Sequence, residues 1–295
     1  MKRWQEGCRE MKTSGGARSR GSKGGKIPRQ GFDLYYHAYG GGEPILVLAG
    51  GPGLDCDYMK PVARKLAATH WSVLPELRGT GRSLPPEMSA STISLKQYLT
   101  DLEALRETFE LRRWIVLGHS AGAIMALNYA IACPARVQAL VLMDSMPVRQ
   151  SLTGSMFDTI FMRLTPKQAG VARRHLTLRG VLPGYFYGRE AAVRMIAAFR
   201  DESFHGDVYQ LLSNDTMGPG VDLRPALRRL PTPALIVAGR QDQCDPGMQY
   251  EIYLALKNSR LEILERCGHF AWLEQPRALY AALRQFLEKL QTDAQ

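Results

Sequence analysis

The stretch that decides the fold is "WIVLGHSAGAIMAL", residues 114–127. It begins as an apolar run typical of a buried strand, turns at "GHSAG" (118–122) and continues as an alanine-rich helical segment. In a strand–Gly-x-Ser-x-Gly–helix arrangement, the glycines let backbone segments approach closely, and the serine hydroxyl stands at the carboxyl end of a sheet. An ordinary turn that contains a serine is the alternative. The strand before Ser120 and the helix after it favour a nucleophile.

Strands and helices alternate on both sides of this stretch. The further predicted strands are "FDLYYHAYG" (32–40), "PILVLAG" (44–50), "WSVLPEL" (71–77), "VQALVLMDS" (137–145), "PALIVAG" (233–239) and "RLEILER" (260–266). Helical spacing predicts helices over 61–70, 94–111, 121–131, 247–257 and 277–291, with Ser94 as the cap of the second. Such alternation predicts an α/β fold, a mostly parallel central sheet with helices on both faces.

The alternation stops between about residues 147 and 229, where the sequence is mostly helical and is interrupted by Gly and Pro. The clearest helix in this region is predicted over 188–203. We therefore expect a core formed by residues 27–146 and 230–295, with residues 147–229 inserted as a helical lid. Residues 1–26 are rich in Gly and Ser and show no hydrophobic period, which predicts a disordered basic tail.

The net charge of +10 would suit a nucleic-acid-binding protein, but its distribution argues against that function. Residues 1–26 hold eight basic and two acidic residues, so most of the excess lies in the predicted tail. The apolar fraction of 45% is that of a soluble globular protein, and no apolar run is long enough to span a membrane. Five cysteines without a Cys-x-x-Cys pair favour reduced thiols, hence neither a zinc site nor a disulfide framework. We expect a cytoplasmic protein with no nucleic-acid or membrane partner.

A serine hydroxyl needs a base, and the base needs a carboxylate that orients it. Two loops at the carboxyl ends of later predicted strands offer these groups. "LIVAGRQDQCDP" (235–246) presents Asp242, with Asp245 as its nearest rival, and "RCGHFAWLEQP" (266–276) presents His269. Because Ser120 also follows a strand, the three side chains are expected at the same edge of the sheet.

Acyl transfer also needs donors for the negative charge that develops on the carbonyl oxygen. The backbone N–H of Ala121, at the start of the helix after the serine, supplies one donor. The glycines of "LAGGPGLD" (48–55) permit close backbone approach, and the N–H of Gly51 is the candidate for the second. Glycines that simply form a turn are the alternative there.

Together these features resemble the α/β-hydrolase superfamily from about residue 30 to the C-terminus. "GGPG" (50–53), "RGTGRS" (78–83) and "GHF" (268–270) are similar to its proline-iminopeptidase-like branch. The resemblance implies a lid where 147–229 falls and an acyl-enzyme mechanism without a cofactor or metal. The sequence departs from the pattern of that branch at two places. Ala49 stands where the family usually has His, and Glu76-Leu77 stands where it often has Asp-Gln.

The sequence determines the substrate less closely than it determines the fold or the catalytic residues. Iminopeptidases of this family use lid carboxylates to hold the substrate's free amine, and Glu190 and Glu202 are the substrate-binding candidates here. Residues 147–229 hold twelve basic and seven acidic residues, however, which favours a carboxylesterase-like activity on small neutral esters. A proline iminopeptidase acting on short peptides is the alternative, and a non-catalytic ligand-binding homologue is a minor one. Dehalogenase and epoxide hydrolase chemistry is disfavoured because Ser120 stands where those enzymes use an aspartate. The sequence leaves the oligomeric state open.

Overall fold

The computed structural model describes residues 24–292, and eight strands in this range form one sheet. The strands are β1 (Gly25–Arg29), β2 (Phe32–Tyr39), β3 (Glu43–Leu48), β4 (His70–Pro75), β5 (Trp114–His119), β6 (Val137–Met143), β7 (Ala234–Gly239) and β8 (Ser259–Leu264). Their order across the sheet is β1-β2-β4-β3-β5-β6-β7-β8. The pairs β1–β2 and β2–β4 are antiparallel and the other five pairs are parallel.

Twelve α-helices lie within the described residues, six of them between β6 and β7. The helices are α1 (Lys60–Leu66), α2 (Leu95–Thr108), α3 (Ala121–Ala132), α4 (Thr153–Arg163), α5 (Pro166–Arg174), α6 (Leu178–Val181), α7 (Arg189–Ala198), α8 (Gly206–Met217), α9 (Arg224–Leu227), α10 (Pro246–Ala255), α11 (Ala271–Glu274) and α12 (Pro276–Thr292). In the part of the chain that the structure describes, no helix combines the length and the apolar character that a membrane span requires.

The buried strands carry apolar side chains on both faces, as the unbroken apolar runs predict. On β3, Ile45 and Val47 belong to one buried cluster, whereas Leu46 and Leu48 belong to the cluster on the opposite face. Because successive side chains of a strand point to opposite faces, one short run supports both layers of helices. The predicted α/β architecture, a mostly parallel central sheet with helices on both faces, is confirmed.

Most predicted elements are confirmed with boundaries shifted by a few residues. Ser94 precedes α2 as predicted, and its side chain accepts a hydrogen bond from the N–H of Gln97. The helix predicted over 188–203 is shorter, since α7 ends at Ala198.

One predicted boundary is wrong. Gly25 and Lys26, placed in the basic tail by the sequence, lie in β1 and pair with Tyr36 and Tyr35 of β2. The remainder of the predicted tail, residues 1–23, lies outside the described residues.

Residues 147–229, called the cap segment below, connect β6 to β7 and contain α4 to α9. An antiparallel bridge between Arg149 and Asp222 joins the two ends of this segment. We keep the predicted division into a core and an inserted cap segment as a proposal.

Three of the five cysteines, Cys56, Cys244 and Cys267, are free and buried. Cys133 is buried directly after α3.

Candidate active site

Ser120 stands between the end of β5 and the start of α3 in a strained backbone conformation, with φ 56° and ψ −121°. Its N–H donates to the carbonyl oxygen of Met143 at 2.9 Å, which fixes the turn against β6. The flanking glycines are required by packing. A Cβ atom on Gly118 would lie 2.3 Å from the carbonyl oxygen of Gly122, and one on Gly122 would lie 2.4 Å from that of Leu48. Strain of this kind is typical of functional turns.

Asp242 and His269 lie together at the same edge of the sheet, in the loops that follow β7 and β8. Nδ1 of His269 lies 2.9 and 3.0 Å from the two carboxylate oxygens of Asp242. Asp242 is fully buried and His269 is 2% exposed. A carboxylate in this position fixes Nδ1 as the donor, so that Nε2 is left free to accept a proton.

Asp245, the rival of Asp242 in the sequence, has another role. Its carboxylate accepts hydrogen bonds from the N–H groups of Gly247 and Met248 at 2.7 and 3.2 Å and so caps α10. A side chain held in this way is not available to orient His269.

Ser120 and His269 line a common cavity of about 310 Å³. The cavity is bounded mainly by apolar and aromatic side chains, many of them from the cap segment. Those contributed by the cap segment include Met156, Phe157, Ile160, Phe161, Leu178, Val181, Leu182, Met195, Phe199 and Phe204. Among the described residues that line the cavity there is no Asp, Glu, Lys or Arg.

The two candidate oxyanion donors are the N–H group that follows Ser120 in the chain and one in the loop after β3. Ala121 is the first residue of α3, and Gly51, with φ 58°, lines the cavity beside Ser120. The neighbouring Gly50 packs directly on the serine turn, since a Cβ atom there would lie 2.6 Å from Cβ of Ser120. Their roles as donors stay predictions.

Glu190 and Glu202 do not lie at this site. Glu190 is exposed in the first turn of α7. The side chain of Glu202 is 81% exposed and lies 3.9 Å from Arg200. Neither glutamate lines the cavity. The structure therefore gives no support to their predicted role in substrate binding, since helical spacing alone does not show which face of the cap segment covers the serine.

A hydrogen-bonded chain that the sequence analysis missed joins two of the loops. The hydroxyl of Tyr58 accepts from the N–H of Gly50 at 2.5 Å and lies 3.0 Å from Nδ1 of His119. Nε2 of His119 lies 2.8 Å from the carbonyl oxygen of His269 and must donate to it. Nδ1 is then the acceptor for Tyr58. Burial, and next the nearby His269, hold the pKa of His119 well below its usual range.

A second missed residue is Glu274, which connects the cap segment to the loop of His269. Its carboxylate accepts from the N–H of Gly188 at 2.6 Å and from that of Gly268 at 2.7 Å. Burial raises the pKa of this carboxyl group. The sequence offers a signal for His119, because this residue precedes Ser120 in the serine turn. It offers no pattern that would identify Tyr58 or Glu274 as part of the site.

Two groups of donor atoms lie close enough together to be considered for a metal ion. They are His37, Cys56 and Asp57, and Asp242, Cys244 and His269. Burial raises the pKa of the thiols of Cys56 and Cys244, which disfavours the thiolate that a metal ion needs. In the second group, Asp242 and His269 already bond to each other, and Cys244 lies 3.4 Å from the sulfur of Met156. We assign no metal ion to either group.

Comparison with known proteins agrees with this geometry. Residues 45–283 match the model of the alpha/beta hydrolase family. A proline iminopeptidase of Lactobacillus helveticus is 24% identical over 90% of this chain and 97% of its own length. A 2-hydroxy-6-oxo-2,4-heptadienoate hydrolase of Pseudomonas putida is 25% identical over 87% of this chain and 93% of its own. The solved structure of a proline iminopeptidase from Mycobacterium smegmatis superposes with a TM-score of 0.72 at 19% identity, covering 92% of this chain and 100% of that one. The relatives' names thus span two kinds of substrate.

Proposed function

Because the chain belongs to the α/β-hydrolase family, in its proline-iminopeptidase-like branch, we propose that this serine hydrolase cleaves small neutral esters through an acyl-enzyme on Ser120. The cavity beside Ser120 carries this proposal. It offers an acyl group apolar walls from the cap segment, and its described lining contains no Asp, Glu, Lys or Arg. An ester with an apolar acyl group enters such a space without leaving a charge unpaired.

In the proposed mechanism, the hydroxyl oxygen of Ser120 attacks the ester carbonyl carbon while Nε2 of His269 takes the hydroxyl proton. Asp242 holds Nδ1–H of His269 and stabilises the imidazolium that forms. The N–H groups of Gly51 and Ala121 donate to the oxyanion of the tetrahedral intermediate. His269 then gives its proton to the leaving alcohol. Water, activated by His269, releases the acid and restores Ser120.

Proline iminopeptidase is the second candidate, favoured by the similarity to such enzymes over 90% of the chain. The free amine of such a substrate is an ammonium ion, and burying it without a carboxylate partner costs several kcal/mol. Since Glu190 and Glu202 are exposed, and no acidic residue is among the described residues that line the cavity, we rank the ester reaction first.

The substrate comparison uses four compounds. We expect turnover of p-nitrophenyl acetate and p-nitrophenyl butyrate, and weaker or no turnover of a proline arylamide and its N-acetylated form. A strong preference for the free-amine arylamide over its N-acetylated form would contradict the ester proposal and establish the peptidase.

The nucleophile is tested with Ser120→Ala, which should lower kcat for the esters by about 1,000-fold or more while the folded protein persists. Ser72→Ala is the matched control, because Ser72 is also a buried serine but lies in β4 away from the cavity. Retention of more than a few per cent of activity in Ser120→Ala would contradict the proposed mechanism.

A further inference from the structure

Asp144 is a buried acidic residue that the proposed mechanism does not use. It follows β6 directly, is fully buried, and has φ 47°, a conformation uncommon for a residue other than Gly. Its N–H donates to the carbonyl oxygen of Val237 at 2.8 Å. The backbone is therefore held by β7 in a strained form that directs the side chain toward the end of that strand.

The Asp144 side chain lies in the same turn as Asp242. Its Oδ1 accepts from the N–H of Gly239 at 2.8 Å, and the carbonyl oxygen of Gly239 in turn accepts from the N–H of Asp242 at 3.1 Å. Gly239 therefore bonds to both acidic residues, which places them in one turn at the end of β7. The other oxygen of Asp144, Oδ2, is buried and has no donor among the described residues.

Two fully buried carboxyl groups in one turn, one of them with an oxygen that has no donor among the described residues, are not both ionised unless a cation neutralises them. Arg163 is a basic residue of the cap segment beside the pair, but its guanidinium donates to the main-chain oxygen of Asp242, not to a carboxylate. Burial first, and then the charge of Asp242, raise the pKa of Asp144 well above its usual range. The geometry thus calls for one proton between the two groups.

The hydrogen bonds decide which group carries that proton. The Asp242 carboxylate accepts Nδ1–H of His269, so it has to be the anion if it is to stabilise an imidazolium. Oδ2 of Asp144 is the remaining oxygen without a donor. A proton on Oδ2 turns this oxygen into a donor, and it gives Asp242 a second hydrogen bond besides that of His269.

We propose that Asp144 is a neutral carboxylic acid that donates a hydrogen bond to the Asp242 carboxylate and so positions Asp242 against His269. This inference rests on the proposed function, in which Asp242 orients His269. Asp144 is a positioning residue: it is not among the described residues that line the cavity, and it acts on the reaction through Asp242.

The first test measures the proton without turnover. Infrared difference spectroscopy of wild type against Asp144→Asn at neutral pH should show the carbonyl band of a neutral carboxylic acid that disappears in the variant. Asp101→Asn is the matched control. Asp101 is also buried but its carboxylate is paired with Arg78 and Arg29, so its replacement should remove no such band. Absence of the band from the wild-type minus Asp144→Asn spectrum would overturn the proposal.

The second test uses kcat and the pH profile of ester hydrolysis. Asn at position 144 can accept from Gly239 and donate to Asp242, so Asp144→Asn should keep most of the wild-type kcat. Asp144→Ala removes both bonds and should lower kcat by about 10- to 100-fold, with little change in KM, as for other residues that orient a catalytic group. Equal losses in the two variants would overturn the positioning role.

The pH dependence of kcat/KM on the acid side distinguishes a neutral Asp144 from an ionised one when wild type is compared with Asp144→Asn. If Asp144 is neutral, Asp144→Asn removes no charge and the apparent pKa of this dependence stays unchanged. If Asp144 is ionised, the substitution removes a negative charge near His269 and lowers that pKa by about one unit or more, which would overturn the proposal. The other titratable or charged groups that face the pair among the described residues are Cys244, Cys267, Glu274, His269, Arg163 and Tyr185.

The two proposals fail in different ways. Suppose that the neutral-carboxyl band is lost in Asp144→Asn but Ser120→Ala keeps full ester activity. This outcome would contradict the proposed function, while the conclusion that Asp144 is a neutral acid would stand. If Asp144→Ala does not fold, the infrared spectrum and the pH profile of Asp144→Asn still decide the outcome.

Discussion

At the scale of single residues, the site depends on three glycines at positions where neighbouring main chain leaves no room for a Cβ atom. Ser120 adopts φ 56° and ψ −121° because β3, β5 and α3 approach one another closely around it. Gly50, Gly118 and Gly122 occupy the three contacts. The pattern of the serine turn was readable in the sequence, since the need for glycine follows from the crossing of strand and helix.

Replacing Gly122 by Ala should lower both the Tm and the kcat. A Cβ atom there would lie 2.4 Å from the carbonyl oxygen of Leu48 and 2.6 Å from that of Ala49, so β3 and the loop of Gly51 would have to move. Thermal unfolding and ester hydrolysis measure the two effects.

Gly154→Ala is the matched control for this substitution. Gly154 is likewise the second residue of a helix, α4, but no atom lies within 4 Å of its added Cβ. Since Ala favours helix by up to about 1 kcal/mol over Gly, this variant should be unchanged or slightly more stable. Similar Tm values for the two variants would contradict the close-packing argument.

At the scale of elements, the carboxyl ends of β3, β5, β7 and β8 each supply one part of the site. The chain from Gly50 through Tyr58 and His119 to the carbonyl oxygen of His269 links three of these ends. His119 can serve in it only as a neutral ring, because a protonated imidazole has no acceptor nitrogen for Tyr58.

Because His119 has to be neutral in the folded protein, we expect the free energy of unfolding to depend on pH. The pKa of His119 is lowered in the folded state, mainly by burial, whereas in the unfolded chain it is about 6.5. Below about pH 6.5 the unfolded state binds the proton and the folded state does not, so the contribution of His119 is complete above that pH and decreases below it.

The measurement compares the unfolding free energies of wild type and His119→Gln between pH 7 and pH 5. The advantage of wild type should decrease toward pH 5, by at most about 1.4 kcal/mol per pH unit for one proton. His70, whose pKa is also lowered by burial, is present in both proteins and cancels in the difference. Parallel pH curves would show that His119 is not a buried neutral group.

The sequence could predict much of the sheet, because its buried strands are apolar runs. It could also predict the residues proposed as the triad, because each of them follows such a run in the turn at its end. β1 was missed because "GKIPR" shows no apolar alternation and gains its structure from pairing with β2. Tyr58, Glu274 and Asp144 were missed for a related reason. Their partners are distant in the sequence, and no local pattern records a contact that the fold creates.

At the scale of the whole molecule, the main chain of the cap segment is hydrogen-bonded to two of the loops that hold the site, the loop of Gly51 and the loop of His269. The N–H of Asp55 donates to the carbonyl oxygen of Ser203, and the N–H of His205 donates to that of Gly53. The N–H of His269 donates to the carbonyl oxygen of Tyr185. These contacts imply that a displacement of the cap segment changes the geometry of the site as well as access to it.

Glu274→Gln tests this connection. The amide would present one acceptor and one donor to the N–H groups of Gly188 and Gly268, leaving one of them unpaired at a cost of roughly 1–3 kcal/mol. We expect a lower Tm together with a several-fold lower kcat for esters.

Glu265→Gln is the control for Glu274→Gln. The Glu265 side chain is 65% exposed and pairs with Arg240 after β7, without a contact to the cap segment. Its Tm and kcat should stay close to wild type. A Glu274→Gln variant with unchanged kcat would show that the cap segment and the loop of His269 are independent.

Four of the groups by which the cap segment attaches to these loops belong to the main chain: the carbonyl oxygens of Tyr185 and Ser203 and the N–H groups of Gly188 and His205. The side chains of Arg163 and His205 add bonds to the carbonyl oxygen of Asp242 and to the carboxylate of Asp55. Main-chain bonds persist when the side chain at the same position is exchanged. The attachment therefore places little restriction on the apolar side chains that face Ser120, and specificity can be redesigned there without rebuilding the junction. A library that varies Met156, Ile160 and Phe199 would alter acyl-chain preference while keeping the fold.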